Sequence, residues 1–134
     1  MPWVRFDDQF TIHRKVDGLT DAAFRLHVAA VFWSARNLMD GFVPEEDLDL
    51  VCARLRSPAR FAAECVSRGA WHEARTPCPG EKCPAPVDNP GWVIHDYWEY
   101  QPTRAKVLAD REAKARAGQK GGLASGQSRR LRAM

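Results

Sequence analysis

The sequence predicts an α+β fold, in which three helices and a β-hairpin share one core and a basic segment follows. Three observations predict it. Apolar residues recur at helical spacing in three successive segments between residues 21 and 68. Two segments of strand-forming residues, 70–74 and 91–98, flank a loop rich in Pro, Gly and Cys. The chain has 134 residues, 45% of them hydrophobic, which suits one compact domain with a tail.

The chain opens with a predicted strand and a long helix. The run Trp3-Val4-Arg5-Phe6 alternates apolar and polar side chains, which is typical of a short strand with one buried face. Thr20 is a predicted N-cap, because its hydroxyl can accept a hydrogen bond from an amide of the first helical turn. The helix is predicted over about 21–37. Apolar side chains on more than one side of it indicate a central helix.

Two shorter helices follow. The first is predicted over about 44–54, since Pro44 fits a first helical position and acidic residues after it complement the helix dipole. The second is predicted over about 58–68, because Ser57-Pro58 combines a capping hydroxyl with proline, and Gly69 can end the helix. The connection is only a few residues long, so the two helices must turn sharply and pack on each other.

The last third of the chain predicts a hairpin, a helix and a tail. Segments 70–74 and 91–98 are expected to pair around the loop over 77–91. Residues 102–117 predict a solvent-exposed helix with possible ion pairs Asp110/Lys114 and Glu112/Arg116. Residues 118–134 are rich in Gly, Ser and Ala and predict a basic flexible tail. The expected organisation is a domain over 1–101, a helix over 102–117 and a tail over 118–134.

Charge is distributed unevenly along the chain. Residues 1–102 carry 11 Lys and Arg against 15 Asp and Glu, whereas residues 103–134 carry 9 against 2. A basic end of this kind attracts polyanions, of which nucleic acid is the main intracellular one. We find no apolar run near the roughly 20 residues of a membrane span and no signal peptide pattern. A cytoplasmic, nucleoid-associated protein without membrane contact is therefore expected.

The predicted order of elements is that of a winged helix: a three-helix bundle with a helix-turn-helix, and a hairpin wing. In such folds the third helix enters the major groove of duplex DNA. The candidate DNA-binding residues of the helix-turn-helix are Arg54, Arg56, Ser57, Arg60, Ser67 and Arg68. Arg60 could pair with a guanine edge, and Ser57 could contact a phosphate. Further phosphate contacts are expected from Arg104, Lys106, Arg111, Lys114, Lys120, Arg129, Arg130 and Arg132.

Two alternatives stay open. The arginines could simply face solvent without contacting DNA. The net negative charge of the domain, with Glu64 on the same helix face, favours that alternative. Winged helices also serve as adaptors between proteins. In that case the third helix and the acidic cluster of Glu45, Glu46, Asp47 and Asp49 would face a replication or host protein, and the tail would tether the complex to nucleic acid. The apolar breadth of the central helix leaves a homodimer open.

Four residues around the long loop are candidate metal ligands. Cys78 and Cys83 bracket a Gly-containing loop, and His72 and His95 lie on the flanking strands. Two thiolates and two imidazoles could form a tetrahedral structural zinc site that ties the wing together. Free thiols or a disulfide are the alternatives. No other cofactor is expected.

No catalytic group is expected. His95-Asp96 could suggest a base with its orienting acid, but neighbours on a strand point to opposite faces. Cys52 and Cys65 are expected to be small core residues on the inner faces of their helices. The aromatic side chains of Trp71, Trp92 and Trp98 are expected to pack in the core rather than to stack on nucleic-acid bases. The sequence therefore predicts a binding protein rather than an enzyme.

Several segments resemble helix-turn-helix proteins of actinobacterial phages and integrated elements. They are residues 10–15 (FTIHRK), 19–26 (LTDAAFRL), 40–44 (DGFVP), 92–97 (WVIHDY) and 99–101 (EYQ). Those proteins are similar to the N-terminal winged-helix domain of DnaD-like replisome organisers, and the resemblance covers about residues 3–117. It implies DNA binding in replication initiation or transcriptional regulation, with self-association through the winged helix. The second, DNA-remodelling domain of DnaD proteins has no counterpart in this sequence, so helicase loading is not expected.

Overall fold

The computed structural model describes residues 3–133 and is a mixed α+β structure. It divides into two compact units, Met1–Gln101 and Pro102–Met134. The first unit contains short helices, one long helix and a three-stranded antiparallel sheet. The second unit contains one long helix. Within residues 3–133, no helix combines the length and apolarity that crossing a membrane requires.

The first unit contains both helices and strands along the chain. The helices are α1 (Arg14–Asp17), α2 (Asp21–Asn37), α3 (Leu48–Val51), α4 (Pro58–Ser67) and α5 (Tyr97–Tyr100), with 3-10 turns at Phe10–Ile12 and Glu45–Asp47. The strands are β1 (Phe42–Pro44), β2 (Trp71–Glu73) and β3 (Gly91–Ile94).

The long helix α2 is the centre of the first unit, as predicted. The hydroxyl of Thr20 accepts a hydrogen bond from the amide of Ala23 at 3.4 Å, so the predicted N-cap is confirmed. The helix ends at Asn37, and the backbone of the next residue, Leu38, is left-handed with φ 54°. Its buried Ser34 hydroxyl accepts a hydrogen bond from the amide of Gly41 at 2.7 Å, which fixes the turn into β1.

The sheet has β3 in its centre, with β1 and β2 on either side, all antiparallel. Val43 lies opposite Trp92 on one side of β3, and His72 lies opposite Val93 on the other. Gly91 begins β3 with φ 153°, and a Cβ there would lie 2.4 Å from the carbonyl oxygen of Val43. Only glycine allows β1 this close to the start of β3.

Three predicted elements differ in the structure. Residues Trp3 to Phe6 form no strand, because the backbone of Arg5 bonds to the side chain of Gln101 rather than to a neighbouring strand. The helix predicted over 44–54 is a 3-10 turn followed by α3, because Pro44 belongs to β1 and pairs with Gly91. The strand predicted over 91–98 ends at Ile94, because Asp96 is left-handed with φ 55° and α5 follows it.

The core lies between α2, α4 and the sheet. Its largest fully buried side chains include Trp71, Leu26 and Val43. Cys52 and Cys65 are both buried, as predicted. Burial, with the adjacent Glu64 carboxylate, raises the pKa of the Cys65 thiol to about 12, so it stays protonated at neutral pH.

The second unit is a continuous helix, α6 (Arg104–Ala133), where a helix ending at residue 117 and a flexible tail over 118–134 were predicted. No proline follows Pro102, so every later amide can continue the helical hydrogen-bond ladder. Most of its residues are strong helix formers, and they outweigh four glycines. Of the two expected ion pairs, Glu112/Arg116 is present at 4.0 Å, whereas Asp110 pairs with Lys106.

Candidate metal centre

The register of β2 and β3 brings the two candidate histidines to one face of the sheet. His72 lies opposite Val93, and His95 is two residues further along the chain than Val93. Side chains two positions apart on an extended chain share a face. The amide of His95 donates to the carbonyl of Ala70 at 2.9 Å, which continues the pairing beyond the end of β3. The two imidazoles therefore lie side by side, with ring centroids 5.8 Å apart.

The loop between β2 and β3 folds back onto this face and carries the two cysteines. Its backbone is held at its base, where Val87 donates to the carbonyl of Ala74 at 2.9 Å, and in its middle, where Trp98 donates to that of Lys82 at 3.1 Å. Gly80 lies between the sulfurs and the end of β3, where a Cβ would lie 3.2 Å from Asp96 Oδ1. A larger residue would crowd the cluster.

The four predicted ligand residues meet in one cluster. His72, Cys78, Cys83 and His95 each offer one donor atom, and the four atoms all lie within 4.8 Å of one another. Nδ1 of His95 lies 3.5 Å from the sulfur of Cys78 and 3.4 Å from that of Cys83. With ordinary zinc–sulfur and zinc–nitrogen bond lengths, a tetrahedral site requires sulfur-to-nitrogen separations of about 3.6 Å. The measured separations therefore fit a zinc ion.

The chemistry of His72 also fits a metal. Its Nε2 atom is buried and has no hydrogen-bond partner among residues 3–133. A buried nitrogen without a partner is unfavourable by about 1–3 kcal/mol. Nδ1 of the same ring lies 3.2 Å from the carbonyl oxygen of Glu73, to which it can donate. The lone pair of Nε2 is then left for a cation.

Two backbone amides lie against the sulfurs. The amide of Asp96 donates to Cys83 Sγ at 3.1 Å, and the amide of Gly80 donates to Cys78 Sγ at 3.5 Å. Amides in this position stabilise the thiolate form that binds metals. Two sulfurs, two imidazole nitrogens and their supporting amides form a closed donor set typical of structural zinc sites.

Burial favours the neutral forms of Cys83 and His95 in the absence of a cation. Desolvation, followed by the neighbouring Cys78, raises the pKa of the Cys83 thiol to about 11, although the Asp96 amide opposes this shift. Desolvation also lowers the pKa of His95. Binding of a divalent cation would therefore displace thiol protons, so metal affinity should rise with pH.

The expected separation of His95 and Asp96 is wrong. The strand has ended before Asp96, and the left-handed backbone there turns the carboxylate back toward the ring. Asp96 Oδ2 lies 3.1 Å from His95 Nε2. This contact was not predicted because the strand was expected to run to residue 98, four residues beyond its end at Ile94. The signal that could have found it is the aspartate itself, since Asp is one of the few residues that adopt this conformation readily.

The first set of candidate DNA-binding residues is exposed, on α4, directly after it, or in the turn before it: Arg54, Arg56, Ser57, Arg60, Ser67 and Arg68. None of these arginines forms an ion pair with any residue that the structure describes. Arg60 lies over the ring of Phe61, 5.7 Å from its centroid. Ser57 is left-handed with φ 54° and its side chain makes no capping bond, so its predicted capping role is wrong.

The candidate phosphate contacts of the basic segment are exposed on α6: Arg104, Lys106, Arg111, Lys114, Lys120, Arg129, Arg130 and Arg132. They belong to a unit separate from the metal centre and α4.

A cavity of about 310 Å³, lined by residues that include Phe10 and His27, lies in the first unit. The indole of Trp71 donates to His27 Nδ1 at 2.9 Å, and the ring of Phe10 stacks on the imidazole. Burial lowers the pKa of His27 to about 4, so the ring is neutral at pH 7. The sequence suggested no partner for this histidine.

Comparisons of the chain with protein-family models, curated proteins and solved structures find no match to any of them.

Proposed function

We propose that the first unit is a zinc-stabilised winged helix that binds duplex DNA. In this proposal α4 enters the major groove, the loop between β2 and β3 is the wing, and α6 adds contacts to phosphates. As the resemblance to phage proteins implies, the cellular role would be replication initiation or transcriptional regulation.

The arrangement of elements supports a winged helix. A helix, a short strand, two helices joined by a tight turn, a strand, a long loop and a final strand follow one another as α2, β1, α3, α4, β2 and β3. The short first strand pairs with the last one and closes the sheet. In such a domain the helix after the tight turn is the one offered to DNA.

The observation that carries DNA binding is the exposed face of α4. Arg60 and Ser67 lie on this face, and Arg54 and Arg56 lie just before the helix. The nearby acid does not neutralise them, because the carboxylate of Glu64 bonds to Thr20. Arginines without carboxylate partners are the groups that read guanine edges and bind phosphates.

The metal is proposed as zinc because two sulfurs and two imidazoles select it, and all four positions are supplied by the chain. The ion would be structural, since no position is left open for a substrate. His72 and His95 would join it to the sheet, and Cys78 and Cys83 would join it to the wing. The wing would thereby be held to β3.

DNA binding is tested by titrating full-length protein with random and genomic duplexes across a range of salt concentrations. Arg60→Ala should weaken binding to the preferred site by about 1–3 kcal/mol and relax the preference at one base pair. Replacing Arg129, Arg130 and Arg132 by Ala should weaken binding to all DNA sequences alike and reduce the salt dependence of the affinity. Arg25→Ala, an exposed change on α2, is the matched control. An unchanged site preference in Arg60→Ala would exclude α4 as the reading helix.

The metal is tested by native mass spectrometry of freshly purified protein. We expect one zinc ion per chain, lost in Cys78→Ser and Cys83→Ser and retained in His13→Gln, which changes an exposed histidine outside the cluster. If the wild-type protein carries no metal, the zinc centre is contradicted. That result would not bear on DNA binding, which the titration tests separately.

A protein adaptor is the second candidate, and the surface around α3 favours it. Leu50 is 70% exposed. Beside it lie the acidic residues Glu45, Glu46, Asp47 and Asp49. An exposed apolar side chain with acidic residues next to it in the chain suits a partner with a basic rim around an apolar pocket. Capture of a defined replication or host protein at a salt concentration that abolishes DNA binding, lost in Leu50→Asp, would support the adaptor.

A further inference from the structure

We propose that Asp96 is a positioning residue of the metal centre, holding His95 so that Nδ1 faces the two cysteine sulfurs. This inference rests on the metal centre proposed above. Nε2 of His95 lies 3.1 Å from Asp96 Oδ2. Nδ1 lies 3.4 Å from Cys83 Sγ. The carboxylate therefore contacts one ring nitrogen while the other ring nitrogen faces the ligand sulfurs.

The carboxylate selects which nitrogen binds the metal. A neutral imidazole carries one proton, and a carboxylate beside Nε2 favours the form in which Nε2 donates and Nδ1 keeps its lone pair. That form is the one a metal ion between the sulfurs requires. A carboxylate on the far nitrogen also makes the ligating nitrogen more basic, which strengthens its bond to the metal.

Asp96 supports a second ligand through its backbone. Its amide donates to Cys83 Sγ at 3.1 Å, while the thiol of Cys83 lies 3.8 Å from Asp96 Oδ1. The thiol contact exists only with a protonated sulfur, and a metal ion would replace that proton. The amide contact remains in the metal-bound state and stabilises the thiolate. One residue thus touches two of the four ligands.

The backbone conformation separates the role of the carboxylate from the role of the turn. Asp96 has φ 55°, and this left-handed conformation is also accessible to Asn and Gly. Either residue would therefore form the turn between β3 and α5. The carboxylate is the feature that aspartate adds over them, and it is the group that contacts His95.

The test compares Asp96→Gly and Asp96→Asn in the full-length chain. Zinc affinity is measured by competition with a chromophoric chelator, and ¹⁵N NMR identifies the nitrogen of His95 that carries the proton. Asp96→Gly should lower zinc affinity by about 10- to 100-fold. In this variant, the neutral imidazole of His95 should no longer be confined to the tautomer with the proton on Nε2. Asp96→Asn should recover most of the affinity, because its amide oxygen can take the place of the carboxylate oxygen beside Nε2. Asp88→Asn, an exposed change in the same loop, should match wild type.

Two results would overturn the proposal, and they differ. In the first, the wild-type protein and Asp96→Gly bind zinc equally well, and the same nitrogen of His95 carries the proton in both. Asp96 then has no positioning role, and the metal centre stands. If wild-type protein binds no zinc, the metal centre fails and the role of Asp96 fails with it. Circular dichroism of each variant shows whether an altered affinity reflects loss of the fold.

Discussion

The carboxylate of Glu64 accepts hydrogen bonds from both the amide and the hydroxyl of Thr20, at 2.7 and 2.9 Å. These bonds join α4 to the start of α2, where a negative charge is favourable because it faces the positive end of the helix dipole. The sequence places Glu64 among the arginines of α4, where it would weaken DNA binding. The structure turns its carboxylate toward Thr20 instead.

Removing this carboxylate should loosen the packing of α4 on α2. Glu64→Ala should lower the free energy of unfolding by roughly 1–3 kcal/mol, because it removes charge-assisted hydrogen bonds and leaves the Thr20 amide without its partner. Urea unfolding measures the loss. Glu46→Ala, an exposed change, should stay within about 0.5 kcal/mol of wild type. Equal stability of the two variants would mean that the Glu64 bonds contribute nothing.

Stability should depend on pH through His27. Its pKa is lowered from 6.5 to about 4 by burial, so the unfolded chain binds more protons between these values. The stabilisation is complete above pH 6.5 and is lost as the pH falls toward 4, by roughly 3 kcal/mol in all. His27→Gln should flatten this dependence, and the exposed variant His13→Gln should retain it. Parallel pH curves for wild type and His27→Gln would contradict the prediction.

Metal removal should destabilise the first unit. A strong chelator should lower the melting temperature of wild-type protein, because the folded chain loses a ligand that the unfolded chain binds weakly. Thermal unfolding followed by circular dichroism, with and without chelator, measures the shift. Cys83→Ser should melt at the lower temperature in both conditions. An identical melting temperature for zinc-loaded and chelated wild type would argue against a structural ion.

The glycines of α6 should be open to stabilising substitution. A Cβ at Gly118, Gly121, Gly122 or Gly126 would meet no atom within 4 Å. Gly121→Ala and Gly122→Ala should each favour the helical state by about 1 kcal/mol and raise the ellipticity of the helix band. Thr103→Ala should act in the opposite direction, because the Thr103 hydroxyl accepts a bond from the amide of Lys106. Unchanged ellipticity in the alanine variants would indicate that this segment is not helical in solution.

Local patterns were sufficient to predict some elements and insufficient for others. Helix α2 has its cap and periodicity within its own segment, and α4 has a proline at its first position and its own periodicity, so both were predicted closely. Strand β1 has three residues and exists because it pairs with β3, about 50 positions later, which no local pattern encodes. The metal ligands were predicted from residue type and loop position. Their register and the role of Asp96 required the left-handed turn after β3.

The position of β3 in the chain has a consequence for how the protein folds. The central strand of the sheet is the last strand in sequence, so β1 and β2 have no sheet partner until residues 91–94 have been synthesised. Bringing β1 to β3 closes a long loop, and such closures slow folding relative to local helix formation. On the ribosome, α2 and α4 can therefore form early, whereas the sheet must wait. The nascent chain exposes the apolar face of α2 during that interval, when it is most open to chaperones and to aggregation.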